Sequence, residues 1–302
     1  MADGPRYSIA VCNYNMVETV GESLRSMLDQ VGDEFEVVVV DGGSTDGSRE
    51  VIADVAAAYP NCRAVLDRAD ECDHLGGDRN ISFQESRGEY VLESLDTDDR
   101  YHDGVIEDFV HLYHRLEDHR EGDFFLSGRG INMAPRDLYF AEPYYDLGGA
   151  EDRDFWRRLI DRDALVWLEM GQAADQLGYE PDLRAKVGRD LEGKVCDFQS
   201  GVTLSSALRW TLHHEHHYVL EERRPLPLEF VKRCYDLVTL PYAYLLARGR
   251  ERHAAPPGFR RKGTLEEWIV ANRMTADELA AHHGFEMDWD GFSDAGRRAF
   301  QV

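Results

Sequence analysis

The stretch "EFEVVVVDGGSTDGSREVIADVAAAY", residues 34–59, constrains this chain more than any other. Four consecutive valines leave no polar face, so the strand they favour must be covered on both sides, as strands of parallel sheets are. A glycine-rich turn follows, and then Val51, Ile52, Val55 and Ala56 recur at helical spacing, with Ser44 or Asp46 placed to cap the helix. The same succession opens the chain, where "YSIAVCNYN" precedes "ETVGESLRSMLDQV" with Val20, Leu24, Met27, Leu28 and Val31 on one face. "CRAVLD" reads as a third strand, "EYVLESLD" as a fourth, and "GVIEDFVHLYHRL" as a further helix. Strands alternating with helices over the first 120 residues or so predict an α/β fold, a mainly parallel sheet between helices. In such sheets ligands bind at the carboxyl ends of the strands.

The alternation weakens after residue 123, and "GGAEDRDFWRRLIDRDALVWLE" reads as a turn entering a helix with Phe155, Leu159 and Ile160 facing the core. Beyond about residue 200 the apolar spacing is helical, which predicts a division into 1–199 and a helical region 200–302. The 302 residues carry 58 acids against 34 bases, a net charge of -24 that disfavours binding of nucleic acid or an anionic membrane by the surface as a whole. An acidic excess spread along the chain suits a protein kept hydrated in high salt, and a halophilic cytoplasm is the expected setting. Five widely spaced cysteines without a CxxC pair point to a reducing compartment. No basic segment followed by an apolar run marks a signal peptide, so a cytoplasmic location is expected.

Three strand ends deliver polar residues to one rim of the predicted sheet. The first carries Asn13, Tyr14 and Asn15, the second Asp41 with "GGSTDG", and the fourth Asp96, Asp98 and Asp99. Three carboxylates within four positions repel one another unless a cation sits among them. Mg²⁺ or Mn²⁺ suits such a set, because these hard ions take carboxylate oxygens and keep waters or phosphates as their other ligands. A solvated acidic turn is the plainer alternative.

The order "YSIAVCNYN", "VVVVDGGSTDGS", "GGDRNISFQESRGEYVLESLDTDD" and "GGAEDRDFWRRL" resembles the family 2 glycosyltransferases over residues 6 to about 165. The resemblance implies a GT-A fold and transfer of a sugar, with inversion, from a nucleoside-diphosphate donor to a glycan or lipid-linked acceptor. It assigns Asn13 and Tyr14 to the nucleobase pocket, although Cys12 and Asn13 replace the Pro-Thr usual there. Asp41 matches the acid that reads the base, usually uracil, while Gly42 stands where many members have a second acid. Arg79 matches a cation on the nucleotide side, Asp96 and Asp98 the Asp-x-Asp that holds the divalent metal, and Asp152, beside Glu151, the base that takes the acceptor's proton. Asp99 is expected to cap the following turn. A nucleotide-sugar-binding subunit without catalytic activity is the alternative.

Two further features lie outside those motifs. His213 and His217 in "HHEHH" are four apart, a spacing that can serve zinc but that lacks a third ligand at a known spacing. Between 223 and 262, ten basic residues face three acidic ones around "VTLPYAYLLA", an apolar run too short to span a bilayer. That segment either docks on the cytoplasmic face of a membrane or packs with its arginines paired to acids.

Overall fold

A computed structural model describes residues 4–178, 183–213 and 226–302. Residues 214–217 of the histidine run and Arg223 and Arg224 lie outside the described residues. In chain order the elements are β1 (Tyr7–Asn13), α1 (Val20–Leu28), β2 (Phe35–Asp41), α2 (Ser48–Ala58), β3 (Cys62–Val65), α3 (Leu75–Glu85), β4 (Tyr90–Glu93) and β5 (Asp99–Tyr101). There follow α4 (Val105–Glu117), β6 (Phe125–Ser127), β7 (Asn132–Pro135), α5 (Arg136–Ala141), α6 (Glu151–Asp161), β8 (Leu165–Trp167) and β9 (Ala174–Gln176). The remainder is helical: α7 (Leu183–Gln199), α8 (Leu204–His213), α9 (Leu226–Ala247), α10 (Thr264–Asn272), α11 (Ala276–His283) and α12 (Asp294–Phe300).

The chain divides into two compact units, one of Met1–Asp146, Asp163–Glu180 and Arg273–Val302, the other of Leu147–Arg162 and Pro181–Asn272. The 199/200 division expected from the sequence falls inside the second. In the first unit a seven-stranded sheet runs β3-β2-β1-β4-β7-β6-β8. Strands β1 to β4 are parallel, while β7 is antiparallel to both of its neighbours. Every residue of β2 is buried, as the valine run requires. The chain moves from β1 outward through β2 to β3 and returns to the other side of β1 with β4. The carboxyl ends of β1, β2 and β4 therefore flank the point where strand order reverses, where α/β sheets bind ligands.

The second unit is built from α6 to α10. Its core packs Val195 and Phe198 of α7 against Ala207 of α8 and Leu240, Ala243 and Ala247 of α9. On α6, Phe155 and Leu159 are fully buried, while Ile160 is half-buried. Asp197 is buried and accepts Arg157 at 2.9 Å and Lys262 at 2.7 Å. Burial alone would raise its pKa, but Lys262, Arg157 and Arg153 together hold it well below the carboxylate range. None of the described helices is long and apolar enough to cross a membrane.

Candidate active site

Strands β1 and β2 pair in register with Asn13 opposite Asp41, and the two side chains close the sheet edge together. Asn13 Nδ2 donates to Asp41 Oδ2 at 2.9 Å and to Ser44 Oγ at 3.2 Å. Asp41 Oδ1 accepts the backbone N–H groups of Gly43 and Ser44 at 3.1 and 2.8 Å. Asp41 is fully buried, yet Oδ2 accepts a single described bond and retains capacity for another. Asn13 Oδ1, also buried, has no hydrogen-bond partner among the described residues. A buried acceptor left open in this way carries a desolvation cost that an N–H donor would remove. Tyr14 stands 62% exposed beside it.

The loops that follow the two strands are fastened to each other. Ser44 Oγ accepts Asn15 N, Asn15 Oδ1 accepts Thr45 N, Asp46 Oδ2 accepts Val17 N and Ser48 Oγ accepts Met16 N, at 2.8 to 3.0 Å. Asn15 adopts the left-handed conformation, with φ of 54°, that the crossing of these loops demands. The expected capping role of Ser44 is thus replaced by a link between loops. Gly47, with φ of 102°, is the N-cap residue of α2, and the Asp46 carboxylate beside it accepts the N–H and the hydroxyl of Ser48, the first residue of the helix, at 3.0 and 2.6 Å.

Arg79, on α3, reaches the carboxyl end of β4. Its Nη1 donates to Glu93 at 2.6 Å, and its guanidinium lies 5.6 Å from the centre of the Tyr144 ring. Glu93 is buried and also accepts Asn132 at 2.8 Å and Tyr144 OH at 3.1 Å. No sequence motif singles out Glu93, because its meaning comes from partners up to 51 residues away. The neighbouring Asp78 was missed as well. A side-chain carbon at Gly42 would lie 2.8 Å from Asp78 Oδ2, so the Asp78 carboxylate from α3 occupies the space a side chain at position 42 would need. Burial pushes the pKa of Asp78 up, and the charges of Asp146 and Asp41 add to the rise against a bond from Cys72. Asp146 in turn accepts the backbone N–H groups of Asp73, His74 and Gly77 and seats the start of α3.

The strand expected to run into the acidic cluster ends sooner. Ser94 takes a φ of 66°, which a strand cannot continue through, so β4 stops at Glu93 and the aspartates follow on a loop. Leu92 pairs with Ile9, the last paired residues of β1 and β4, so β4 ends several residues short of the end of β1 at Asn13. Ser23 Oγ donates to the carbonyl of Asp96 at 2.9 Å, and Asp96 N donates to the buried Tyr101 hydroxyl at 2.8 Å. Asp99 does not cap a turn: it opens β5, which pairs with β9. A carboxylate oxygen from each of Asp96, Asp98 and Asp99 falls within 4.8 Å of the others. Burial, then the charges of Asp96 and Asp98, raise the pKa of Asp99 to about 6. Among the described residues, no hydrogen bond or ion pair reaches the carboxylates of Asp98 and Asp99. The donor chemistry fits a hard divalent cation.

In the second unit, Glu151 and Asp152 open α6 behind Ala150, which has a φ of 57° and supplies no cap. Glu151 is buried, whereas Asp152 is half-buried and its Oδ1 accepts Arg153 N at 2.7 Å. Three acids in the first turn, Glu151, Asp152 and Asp154, complement the positive end of the helix dipole.

The model of "Glycosyl transferase family 2" matches residues 8–164, more than half of the chain, and the protein belongs to that family. An uncharacterized glycosyltransferase of Nostoc sp. is 31% identical over 108 residues, 36% of this chain and 33% of the relative. Glycosyltransferase AglE of Haloferax volcanii is 23% identical over 209 residues, 68% of this chain and 60% of AglE. The match thus spans less than two thirds of either relative. Among solved structures, the mannosyltransferase PcManGT of Pyrobaculum calidifontis aligns with a TM-score of 0.52 at 18% identity, covering 82% of this chain and 74% of that one. Glucosyl-3-phosphoglycerate synthase of Mycobacterium tuberculosis aligns with a TM-score of 0.53 at 16% identity, covering 65% and 79%. At such identities the likeness is one of fold, the GT-A fold.

Proposed function

We propose that the protein transfers a sugar from a nucleoside-diphosphate donor to an acceptor hydroxyl or lipid phosphate, with inversion at the anomeric carbon. The observation that carries this reading is the acidic cluster on the loop after β4, the neighbour of β1, where the carboxylates of Asp98 and Asp99 have no cation partner among the described residues. Asp96, Asp98 and Asp99 would hold Mg²⁺ or Mn²⁺, which when bound neutralises the negative charge of a departing diphosphate. Two proteins that share the fold bind such ions: PcManGT with GDP-Man and Mn²⁺, and glucosyl-3-phosphoglycerate synthase with Mg²⁺ and UDP.

The chain's own residues divide the remaining work. Asn13 Oδ1 accepts an N–H of the base, Asp41 Oδ2 offers a second acceptor, and the exposed ring of Tyr14 stacks beside them. Arg79, aimed by Glu93, supplies positive charge on the nucleotide side, and Asp96 faces the ribose. Asp152 takes the proton of the attacking acceptor while Glu151 supports the helix start. UDP is the preferred nucleotide.

A thermal-shift titration with UDP, GDP and dTDP, each with and without Mn²⁺, tests the donor side. Stabilisation by UDP should require the ion and vanish in Asp98→Ala; a shift that is the same with and without Mn²⁺ would remove the metal from the reading, and a larger shift with GDP would replace the base. Asp152→Asn should retain that shift while turnover falls by roughly 100- to 10,000-fold, the usual share of proton transfer. Nucleotide binding with no transfer or donor hydrolysis by the unaltered chain would instead indicate a binding subunit.

A further inference from the structure

Helix α9 buries one apolar face in the core of the second unit and turns another outward. Leu228, Phe230, Val231, Val238, Tyr242 and Leu245 are all exposed, Phe230 by 69% and Val238 by 73%. At 3.6 residues per turn they share one arc of roughly 160° that runs about 26 Å along the helix. No charged residue of α9 enters that arc. Lys232 and Asp236 point to the other side, where they pair with each other and with Asp190 and Lys194 of α7, and Glu229 pairs with Arg233.

The cations near the end of the stripe are not all spent in the same way. Arg250 pairs with Glu192 at 3.1 Å, but Arg248 and Arg252 are exposed and have no partner among the described residues. An apolar strip of this length, ended by unpaired arginines and free of acids, complements an anionic bilayer surface. A parallel two-fold pairing with a second copy would set Arg248 against Arg248.

We propose that the outward face of α9 docks the second unit on the surface of an anionic membrane, the apolar arc entering the headgroup boundary and Arg248 and Arg252 contacting lipid phosphates. The proposal does not depend on the donor chemistry, and its test uses no transfer assay, so either reading can fail alone.

Flotation of the full chain with vesicles of phosphatidylcholine, alone or mixed with phosphatidylglycerol, decides it. The protein should float with the mixed vesicles and far less with phosphatidylcholine alone. Val238→Glu with Leu245→Glu should lower partitioning by about tenfold or more, since each places a charge in the apolar boundary. Arg248→Glu with Arg252→Glu should lower it about tenfold at low salt and little at high salt, where charges are screened. Circular dichroism and melting temperature establish that the variants fold. Wild-type protein left in solution at both salt concentrations, or flotation unchanged by Val238→Glu with Leu245→Glu, would overturn the proposal. So would a dimer in sedimentation equilibrium that this pair dissociates while the wild type does not float.

Discussion

Strand β2 and helix α9 are both rich in apolar residues, but the two regions dispose of them in opposite ways. In β2 the valines fill the sheet interior and the polar end, Asp41, is satisfied by Asn13, Gly43 and Ser44. In α9 the charged residues are turned inward and paired, and much of the apolar surface is left to solvent. Burial contributes about 1.5 to 3 kcal/mol for a large apolar side chain, so an outward apolar face forgoes that stabilisation for the isolated chain. The contrast separates a region whose apolar surface the fold consumes from one whose apolar surface it leaves exposed.

The same charge placed in the two regions should have very different effects. Val39→Glu should cost more than about 4 kcal/mol, because a carboxylate enters a fully buried strand with no partner. Val238→Glu should stay within about 0.5 kcal/mol of wild type. Equal losses in urea unfolding would mean that α9 is covered after all.

A smaller effect is expected where polar groups are buried at the edge of the first unit. Arg79→Ala leaves Glu93 as an uncompensated buried charge, and a loss of about 3 to 5 kcal/mol follows. Arg79→Met with Glu93→Gln should recover most of it, since Asn132 and Tyr144 keep an acceptor. A double variant no more stable than Arg79→Ala would place the value of the pair elsewhere than in charge compensation.

The smallest effect concerns the acidic cluster. The pKa of Asp99 is raised from 3.8 to about 6 in the fold, so the native state binds its proton more tightly than the unfolded chain does. That contribution is greatest below pH 3.8 and is lost as pH rises to about 6. With divalent ions chelated, Asp99→Asn should therefore gain on wild type across this window, by about 1 kcal/mol at pH 7 given solvent screening. A difference between the two proteins that does not change with pH would sink this account.

Much of the candidate site is legible in the sequence. Asn13, Asp41, Asp96 and Asp98 stand at or just past strand ends that the valine run and the helical spacing already defined, because periodicity is a local property. The partners were not legible. Glu93 reads as one more strand residue until β7 brings Asn132 and the chain near α5 brings Tyr144 to it. Asp78 acquires its place only when α3 packs against the end of β2, and Asp146 only when it meets the start of α3. Asp99, one of three carboxylates already adjacent in the sequence, opens β5 instead of capping a turn, and that depends on a pairing with β9 about 75 residues away.

What the sequence determined by itself was the α/β alternation, the family motifs and the carboxylates at the sheet edge, since each is written in neighbouring residues. What the tertiary structure decided was direction. Helix α9 has apolar residues around most of its circumference, with Leu240, Ala243 and Ala247 as suitable for a core as Val231, Val238 and Leu245. Spacing alone cannot choose between two apolar faces; the ion pairs of Lys232 and Asp236 with Asp190 and Lys194 of α7 go with one choice, and they turn the other face outward.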